Sequence, residues 1–202
     1  MRFLAFLAPL FFVTPGFAGE WELDPVHSSV GFSVRHMMVA TVHGQFDNVS
    51  AVVNINEENL SKSTVEVTID TNSINTRIAK RDAHLKSPDF FDVEKFPTMT
   101  FKSTKIEKAF GGKFKVVGDL TMHGVTHPVT LHVSSLTAPV KNPMGKMVRG
   151  VSATGELNRK EWGLGWNKVL EAGGMMVGEM ISLQIDAELA AKAAPTTPSA
   201  VN

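Results

Sequence analysis

The stretch Ile181-Ser-Leu-Gln-Ile-Asp-Ala-Glu-Leu189 decides the fold class of this chain. Its apolar residues, including Ala187, occupy every second position, and polar residues fill all of the remaining places. Because successive side chains of a β-strand point to opposite faces of a sheet, a period of two predicts a strand with one apolar face and one wet face. The same alternation recurs in Ser28–His36 and Thr64–Asp70, so the chain is predicted to be all-β.

Weaker alternation predicts five further strands, separated by turn-forming residues such as Gly111-Gly112. Antiparallel strands with one apolar face can close into a barrel, which removes the exposed edges of the sheet. A barrel of eight strands is filled by side chains or holds one small ligand, and a sandwich remains the alternative architecture. The five additional strands are Gly44–Ile55, Thr98–Ile106, Lys113–Met122, Val129–Leu136 and Val148–Leu157.

One long segment between residues 75 and 97 interrupts the strands. Asn75 or Thr76 is a candidate cap for a helix over Arg77–Lys86, and Ser87-Pro-Asp89 is a candidate start for a second helical turn. Pro97 is expected to end this insertion, because proline cannot continue a helix. The segment is rich in aromatic and charged residues, so we interpret it as a lid over the barrel.

The two ends of the chain differ in composition from the strands between them. Arg2 precedes an apolar run, Phe3–Val13, which is shorter than the roughly 20 residues that span a bilayer. This pattern predicts a signal peptide over residues 1–18 with cleavage after Ala18, and a retained anchor is the alternative. Residues 190–202 are rich in alanine, proline and threonine and are predicted to form a disordered tail. The folded domain is therefore expected over residues 19–189.

Composition excludes several classes of function. The chain has no cysteine, which removes thiolate nucleophiles and thiolate metal sites. Its 20 basic and 20 acidic residues cancel, so no nucleic-acid footprint or polybasic membrane patch is indicated. No Gly-x-Ser-x-Gly elbow and no phosphate-binding glycine loop followed by lysine occurs. Catalysis has no support from the sequence.

A few polar residues are candidates for recognition. His36 continues the apolar face of its strand and is interpreted either as a core histidine or as a polar contact inside a cavity. Arg81 and Asp82 either fix the lid as an ion pair or hold a polar ligand head. His123 and His127 flank a predicted hairpin without a nearby acidic partner, so no metal site is expected there.

The segment from Glu161 to Gly178 carries two tryptophans and two adjacent methionines. It is interpreted either as a loop anchored in the core or as an adaptable apolar rim, since methionine and tryptophan accept varied hydrophobic ligands. The residues concerned are Trp162, Trp166, Met175 and Met176.

Several motifs together resemble the YceI-like family of exported bacterial lipocalin-like proteins, which bind polyisoprenoids and other long-chain lipids. The resemblance covers about Trp21 to Leu189. It rests on motifs that include Asp24-Pro-Val-His-Ser28, Arg81-Asp-Ala-His-Leu85, Asp89-Phe-Phe91, Gly118-Asp-Leu-Thr121 and Val177-Gly178.

The resemblance implies an eight-stranded antiparallel lipocalin-like barrel with a short helical insertion and a ligand in its apolar lumen. His36, Arg81 and Asp82 are the expected contacts of the ligand head, and no metal is expected. The expected ligand is a polyprenyl chain, an isoprenoid quinone or another long-chain amphiphile. The residues expected to line the lumen or its mouth are Phe32, Val34, His36, Phe46, Leu85, Phe90, Phe91, Phe101, Trp162, Trp166, Met175 and Met176.

The function expected from this resemblance is that of a periplasmic carrier or scavenger with no enzymatic activity. Two alternatives stay open. One is a packed β-domain that acts through its surface or as a homodimer. The other is an enzyme acting on an isoprenoid or quinone, with His36 as its acid or base.

Overall fold

The computed structural model describes residues 19–171 and 173–192. The predicted signal peptide, its cleavage site and the predicted tail from residue 193 onward lie outside the described residues. None of the described helices has the length and apolar character needed to cross a bilayer.

The described residues form eleven strands and one α-helix, together with short 3₁₀ turns. The helix, α1, is Ala79–Lys86. The strands are β1 Gly19–His36, β2 Ala40–Phe46, β3 Val49–Ile55, β4 Thr64–Asp70, β5 Ile74–Asn75, β6 Thr98–Lys108, β7 Phe114–Met122, β8 Val125–Leu136, β9 Val140–Lys141, β10 Met147–Asn158 and β11 Val177–Ala191.

The first and last long strands close the sheet into a barrel. β1 pairs with β11 in antiparallel register, for example Phe32 with Leu183. β1 also pairs with β2 through Val30–His36 and with β3 through Gly19–Glu22, so β2 and β3 run as one interrupted strand beside it. The described residues thus confirm the predicted closed eight-stranded antiparallel barrel, in the order β1, β2/β3, β4, β6, β7, β8, β10 and β11. The sandwich alternative is wrong.

The alternation in the sequence places the apolar faces of the strands inside the barrel. A large cluster of buried side chains, including Phe101, Leu120 and Trp162, forms the main hydrophobic core. A smaller cluster of Trp21, Ile55 and Leu189 fills one end. Both clusters are stabilised by burial of apolar surface, at about 25 cal/mol per Å².

The insertion differs from its prediction in two places. The helix begins at Ala79 rather than at Arg77, because Arg77 has a φ of 66° and its N–H is bonded to the Asn75 side chain. Ser87-Pro-Asp89 does not start a second helix; the N–H of Asp92 closes a turn onto the Ser87 carbonyl at 3.0 Å. The prediction that Pro97 ends the insertion is confirmed, since β6 begins at Thr98.

The last strand is longer than the alternation predicts. β11 continues through Ala191, which pairs with Trp21, and the side chain of Lys192 lies 2.5 Å from the carboxylate of Glu20. The folded domain therefore extends past the predicted boundary at residue 189. Alanine hides this continuation, because its small side chain gives little hydrophobic signal.

One glycine inside the barrel makes room for an aromatic ring. A Cβ at Gly118 would lie 2.6 Å from the carbonyl oxygen of Lys102 and would overlap the ring of Phe101. We expect Gly118→Ala to destabilise the fold by about 1–3 kcal/mol, the usual cost of an overpacked core. Gly165→Ala is the control, because the nearest atom to its Cβ would be 3.9 Å away. Urea unfolding followed by circular dichroism measures both, and equal midpoints would contradict the close packing at Gly118.

Candidate functional site

The barrel encloses an apolar cavity of about 310 Å³, within the range of small-molecule sites. Each barrel strand contributes the side chains of its inward face. On β11 these side chains recur at every second residue from Ile181 to Leu189, a run of about 27 Å along the strand. Almost all the lining residues are apolar; the exceptions among the described residues are Gly31, Ser63 and Arg159.

The insertion covers one end of the cavity. Leu85 of α1 and the following Phe90 and Phe91 line the cavity. The ring of Phe91 meets that of Phe46 edge-on at 5.9 Å, and Phe46 lies 5.7 Å from Phe32. A continuous aromatic contact therefore links the lid to the wall formed by β1 and β2.

A second segment supports the lid from the side. The ring of Trp166 lies 5.2 Å from Phe90 and 4.8 Å from His84. His84 also holds the lid through Nε2, which lies 2.8 Å from Oδ2 of Asp89. Trp166 therefore packs behind the lid and does not line the cavity.

Seven of the twelve residues predicted for the lumen do line the cavity. They share an apolar side chain and a place on an inward strand face or on the underside of the lid. They are Phe32, Val34, Phe46, Leu85, Phe90, Phe91 and Phe101.

The prediction that Trp162 lines the mouth is corrected by its position. Its side chain is 1 % exposed, and Nε1 donates to the carbonyl of Leu120 at 3.1 Å. Trp162 is an anchor of the core behind the cavity wall, because its ring and its N–H are both fully used by the fold.

The two methionines also lie outside the cavity lining. Met175 is 44 % exposed and bridges to Val169. The backbone of Met176 holds the loop, since its N–H donates to Lys168 and its carbonyl accepts from Met37. The methionines therefore form an outer loop beside the barrel end rather than the rim of the cavity.

The residues predicted to contact a polar ligand head, Arg81, Asp82 and His36, do not line the cavity. Arg81 Nε donates to the Thr76 hydroxyl and Arg81 Nη2 donates to the Thr76 carbonyl, each at 2.7 Å. Asp82 accepts from the Thr76 N–H at 2.9 Å and from its hydroxyl. The two charged residues thus fix the start of the lid through Thr76. His36 ends β1, is half-buried, and does not line the cavity.

The two histidines of the β7–β8 hairpin, His123 and His127, are in contact with backbone carbonyls of the fold. His123 Nδ1 lies 3.2 Å from the Trp162 carbonyl, and His127 Nε2 lies 3.1 Å from the Glu161 carbonyl. Both therefore tie the β7–β8 hairpin to the segment after β10.

Within the part of the chain that the structure describes, one group of three side chains has ligand atoms close enough for a metal: Asp24, His27 and Glu188. His27 Nδ1 lies 3.0 Å from Oδ2 of Asp24. This hydrogen bond raises the pKa of His27 and lowers the pKa of Asp24. The hydrogen-bonded Asp24–His27 pair lies at the register shift of β1.

The sequence interpretation missed Arg159, which lines the cavity. The residue is 4 % exposed; its Nε donates to the Gly178 carbonyl at 2.9 Å, and its Nη1 donates to the Leu164 carbonyl. Burial lowers the pKa of this arginine, although a guanidinium stays charged in proteins. The sequence pattern could have identified it, because Arg159 continues the odd-numbered inward face of β10 beyond Leu157.

A closed antiparallel barrel with an aromatic lid and an apolar lumen is the architecture of a cavity-containing, lipocalin-like protein. The chain belongs to the YceI-like family, since residues 21–189 match the YceI-like domain. A UPF0312 protein of Staphylococcus aureus strain USA300 is 38 % identical over 170 residues, which cover 84 % of this chain and 96 % of that protein.

Solved structures share the barrel. A YCEI protein of Campylobacter jejuni is 32 % identical, with a TM-score of 0.66 over 85 % of this chain and 97 % of its own. BcnA of Burkholderia cenocepacia is 21 % identical, with a TM-score of 0.72 over 82 % of this chain and 98 % of its own. A polyisoprenoid binding domain from Saccharophagus degradans is 18 % identical, with a TM-score of 0.60 over 85 % and 98 %. The last two similarities establish the fold.

Proposed function

We propose that this protein is an exported carrier or scavenger that holds a polyisoprenoid or another long-chain amphiphile inside its barrel. The observation that carries the proposal is the lining of the cavity, in which apolar side chains predominate on every barrel strand and on the lid. A long hydrocarbon chain gains from such a lining, whereas a polar metabolite would lose its hydration without finding partners. The polyisoprenoid binding domain of Saccharophagus degradans has the same fold and supports this ligand class.

The dimensions of the lumen suit a long chain. The hydrocarbon core of a bilayer is about 30 Å thick and holds two tails end to end, so one tail extends about 15 Å. The lumen-facing run of β11 from Ile181 to Leu189 spans about 27 Å along the strand. Even with the tilt of barrel strands, the lumen is longer than a single common tail.

The free energy gained by burying an isoprenoid chain in the lumen is large enough for tight binding. Each buried CH₂ contributes about 0.8 kcal/mol, so a five-carbon isoprene unit contributes about 3–4 kcal/mol. Three units give about 10 kcal/mol before the costs of association and ordering, and longer chains give more. Micromolar to nanomolar affinity follows for chains of several units, with a strong dependence on chain length.

The decisive experiment is native mass spectrometry of the protein purified from its own cells without detergent, followed by solvent extraction. We expect one amphiphile per chain, released on unfolding and identified as a prenyl or fatty compound. A clean ligand-free mass, unchanged after incubation with geranylgeraniol, would overturn the proposal and favour a domain that acts through its surface. The same spectra report whether the protein is a monomer or a homodimer.

Export through a cleaved signal peptide is part of the proposal. The apolar run and the small residues before Gly19 support it. Cell fractionation is expected to recover the protein from the periplasm with Gly19 as its first residue. Recovery from the cytoplasm with Met1 intact would contradict export while leaving lipid binding open.

The proposed carrier needs no catalytic group. The enzyme alternative relied on His36, and the cavity lining does not include this residue. Nothing in the described site therefore favours turnover over binding.

A further inference from the structure

Two hairpins leave the barrel at the end opposite the lid. β6 begins at Thr98, directly after the lid insertion, and ends at Lys108, so the β6–β7 connection lies at the far end. β8 runs antiparallel to β7, and the β9–β10 turn that follows it lies at that same end. β7 and β10 are the two neighbours of β8 in the sheet, so the two hairpins are about 10 Å apart laterally.

The tip of each hairpin exposes large apolar side chains. Phe110 is 99 % exposed, and the glycines that follow it, Gly111 and Gly112, have φ angles of 72° and 74°. In the other turn, Met144 is 86 % exposed and Val140 is 58 % exposed. A single exposed apolar side chain is common on a protein surface, but two neighbouring tips that both carry one indicate a surface that makes a contact.

Lysines surround both tips. The segments Lys105–Lys115 and Val140–Met147 contain six lysines and one glutamate, a net charge of +5, in a chain whose 20 basic and 20 acidic residues cancel. The overall composition hides this patch, because the fold brings together two segments that β8 separates in the chain. The lysines are Lys105, Lys108, Lys113, Lys115, Lys141 and Lys146, and all of them are exposed.

Acidic side chains compensate little of this charge. Lys105 is bonded to Glu107 at 2.5 Å. Within residues 19–171 and 173–192, the other five lysines form no salt bridge. In the β3–β4 connection, Glu57 is bonded to the buried Arg149 at 2.6 Å, and Glu58 beside it is exposed. The positive charge of the hairpins therefore exceeds the acidic charge next to them.

We propose that the two hairpins form a docking surface for an anionic lipid bilayer. Phe110 and Met144 enter the boundary between headgroups and acyl chains, and the lysines contact the anionic headgroups. An apolar side chain among lysines is favoured at such a boundary, because it leaves water while the ammonium groups stay at the charged surface. Projecting tips can sink into a bilayer, whereas an acidic protein would need a matching pocket for each tip.

The docking surface is distinct from the lumen. It determines where the protein resides and how fast it exchanges lipid with a bilayer, whereas the cavity lining determines how much ligand is bound at equilibrium. A variant at Phe110 is therefore expected to keep its lumen ligand, and loss of vesicle binding would leave the proposed carrier function intact.

Vesicle co-sedimentation tests the proposal. The chain from Gly19 to Asn202 is mixed with vesicles of phosphatidylcholine alone, or of phosphatidylcholine and phosphatidylglycerol in equal parts, at about 0.1 M salt. We expect at least tenfold tighter binding to the anionic vesicles. This preference is expected to disappear at about 1 M salt, where the Debye length falls from about 10 Å to about 3 Å. Equal binding to both vesicles at low salt would overturn the proposal.

Charge substitutions locate the contact on the hairpins. The double variant Lys108→Gln/Lys113→Gln is expected to bind anionic vesicles at least tenfold more weakly, since each lysine near such a surface contributes about fivefold in affinity. The matched control is Lys80→Gln/Lys168→Gln, which makes the same change of net charge with two exposed lysines near the lid. The control is expected to stay within twofold of the wild type. An equal loss in both double variants would show that only net charge matters, and would overturn the docking surface.

Apolar substitutions distinguish insertion into a bilayer from attraction of charges alone. Phe110→Ser and Met144→Ser are each expected to weaken binding to anionic vesicles at least threefold, because the tip no longer gains from entering the acyl boundary. Val169→Ser is the control, since Val169 is 74 % exposed and lies outside both hairpins. Unchanged vesicle binding in folded Phe110→Ser and Met144→Ser would overturn insertion and favour an acidic protein as the partner of this surface.

Discussion

Phe91→Asp is expected to reduce lipid binding at least 100-fold, the largest functional effect of any single change in the lid. Phe91 lines the cavity and packs edge-on against Phe46. An aspartate there places a carboxylate against apolar side chains and removes the aromatic contact between lid and wall. A hundredfold loss corresponds to about 2.8 kcal/mol, well within the cost of burying a polar group without a partner.

The matched control is Phe110→Asp, because Phe110 is 99 % exposed and does not line the cavity. Both variants are purified, checked by circular dichroism, and assayed for co-purified lipid by native mass spectrometry. Phe32→Asp tests the barrel wall that the lid contacts and is expected to lose lipid in the same way. Undiminished lipid recovery from folded Phe91→Asp and Phe32→Asp would show that the cavity is not the binding site.

Trp162→Ala is expected to lower the free energy of unfolding by about 3–5 kcal/mol, the range for removing a buried tryptophan. Its ring fills the core behind the cavity wall, and its N–H satisfies the carbonyl of Leu120. Since small domains are stable by only about 5–15 kcal/mol, this one change is expected to bring the protein close to unfolding at growth temperature. Urea denaturation followed by far-ultraviolet circular dichroism measures the loss.

Two further variants separate packing from hydrogen bonding at this position. Trp162→Phe keeps most of the ring and removes the hydrogen bond from Nε1 to the Leu120 carbonyl, so it is expected to cost about 1–3 kcal/mol. Phe110→Ala removes an exposed ring and is expected to change stability by less than about 0.5 kcal/mol. Equal stability of Trp162→Ala and Phe110→Ala would contradict the anchor role assigned to Trp162.

The anchor role and the lumen role divide the aromatic residues of this protein into two groups. Phe46, Phe91 and Phe101 present their rings to the cavity, whereas Trp162 and Trp166 support the wall and the lid from behind. A variant of the first group is expected to change ligand binding before stability. A variant at Trp162 is expected to change stability first, so the two measurements distinguish the groups.

The strands and their inward faces could be predicted from the chain alone. A period of two is a local property, and each of the eight predicted strands corresponds to one position of the closed barrel. The lumen-facing phenylalanines follow from the same rule, because a residue in phase with its apolar neighbours points inward. Arg159 is also in phase with the inward residues of β10. It was missed because the prediction follows apolar residues, and a cation at the end of an apolar face does not extend that pattern.

The closure of the barrel and the partners of its polar groups depended on tertiary structure. Pairing of Trp21 with Ala191 joins residues from opposite ends of the described chain, and no local pattern specifies such a pair. Arg81 and Asp82 carry charges typical of a ligand contact, but the fold brings both to Thr76. Among residues 19–171 and 173–192, Arg159 finds backbone acceptors at Gly178 and Leu164 and none for Nη2, and the positions of those acceptors depend on the tertiary structure. The apolar faces follow from the chain alone, because alternation is a local property. The partners of the buried charges depend on the tertiary structure, because hydrogen bonds require short distances between residues that are remote in sequence.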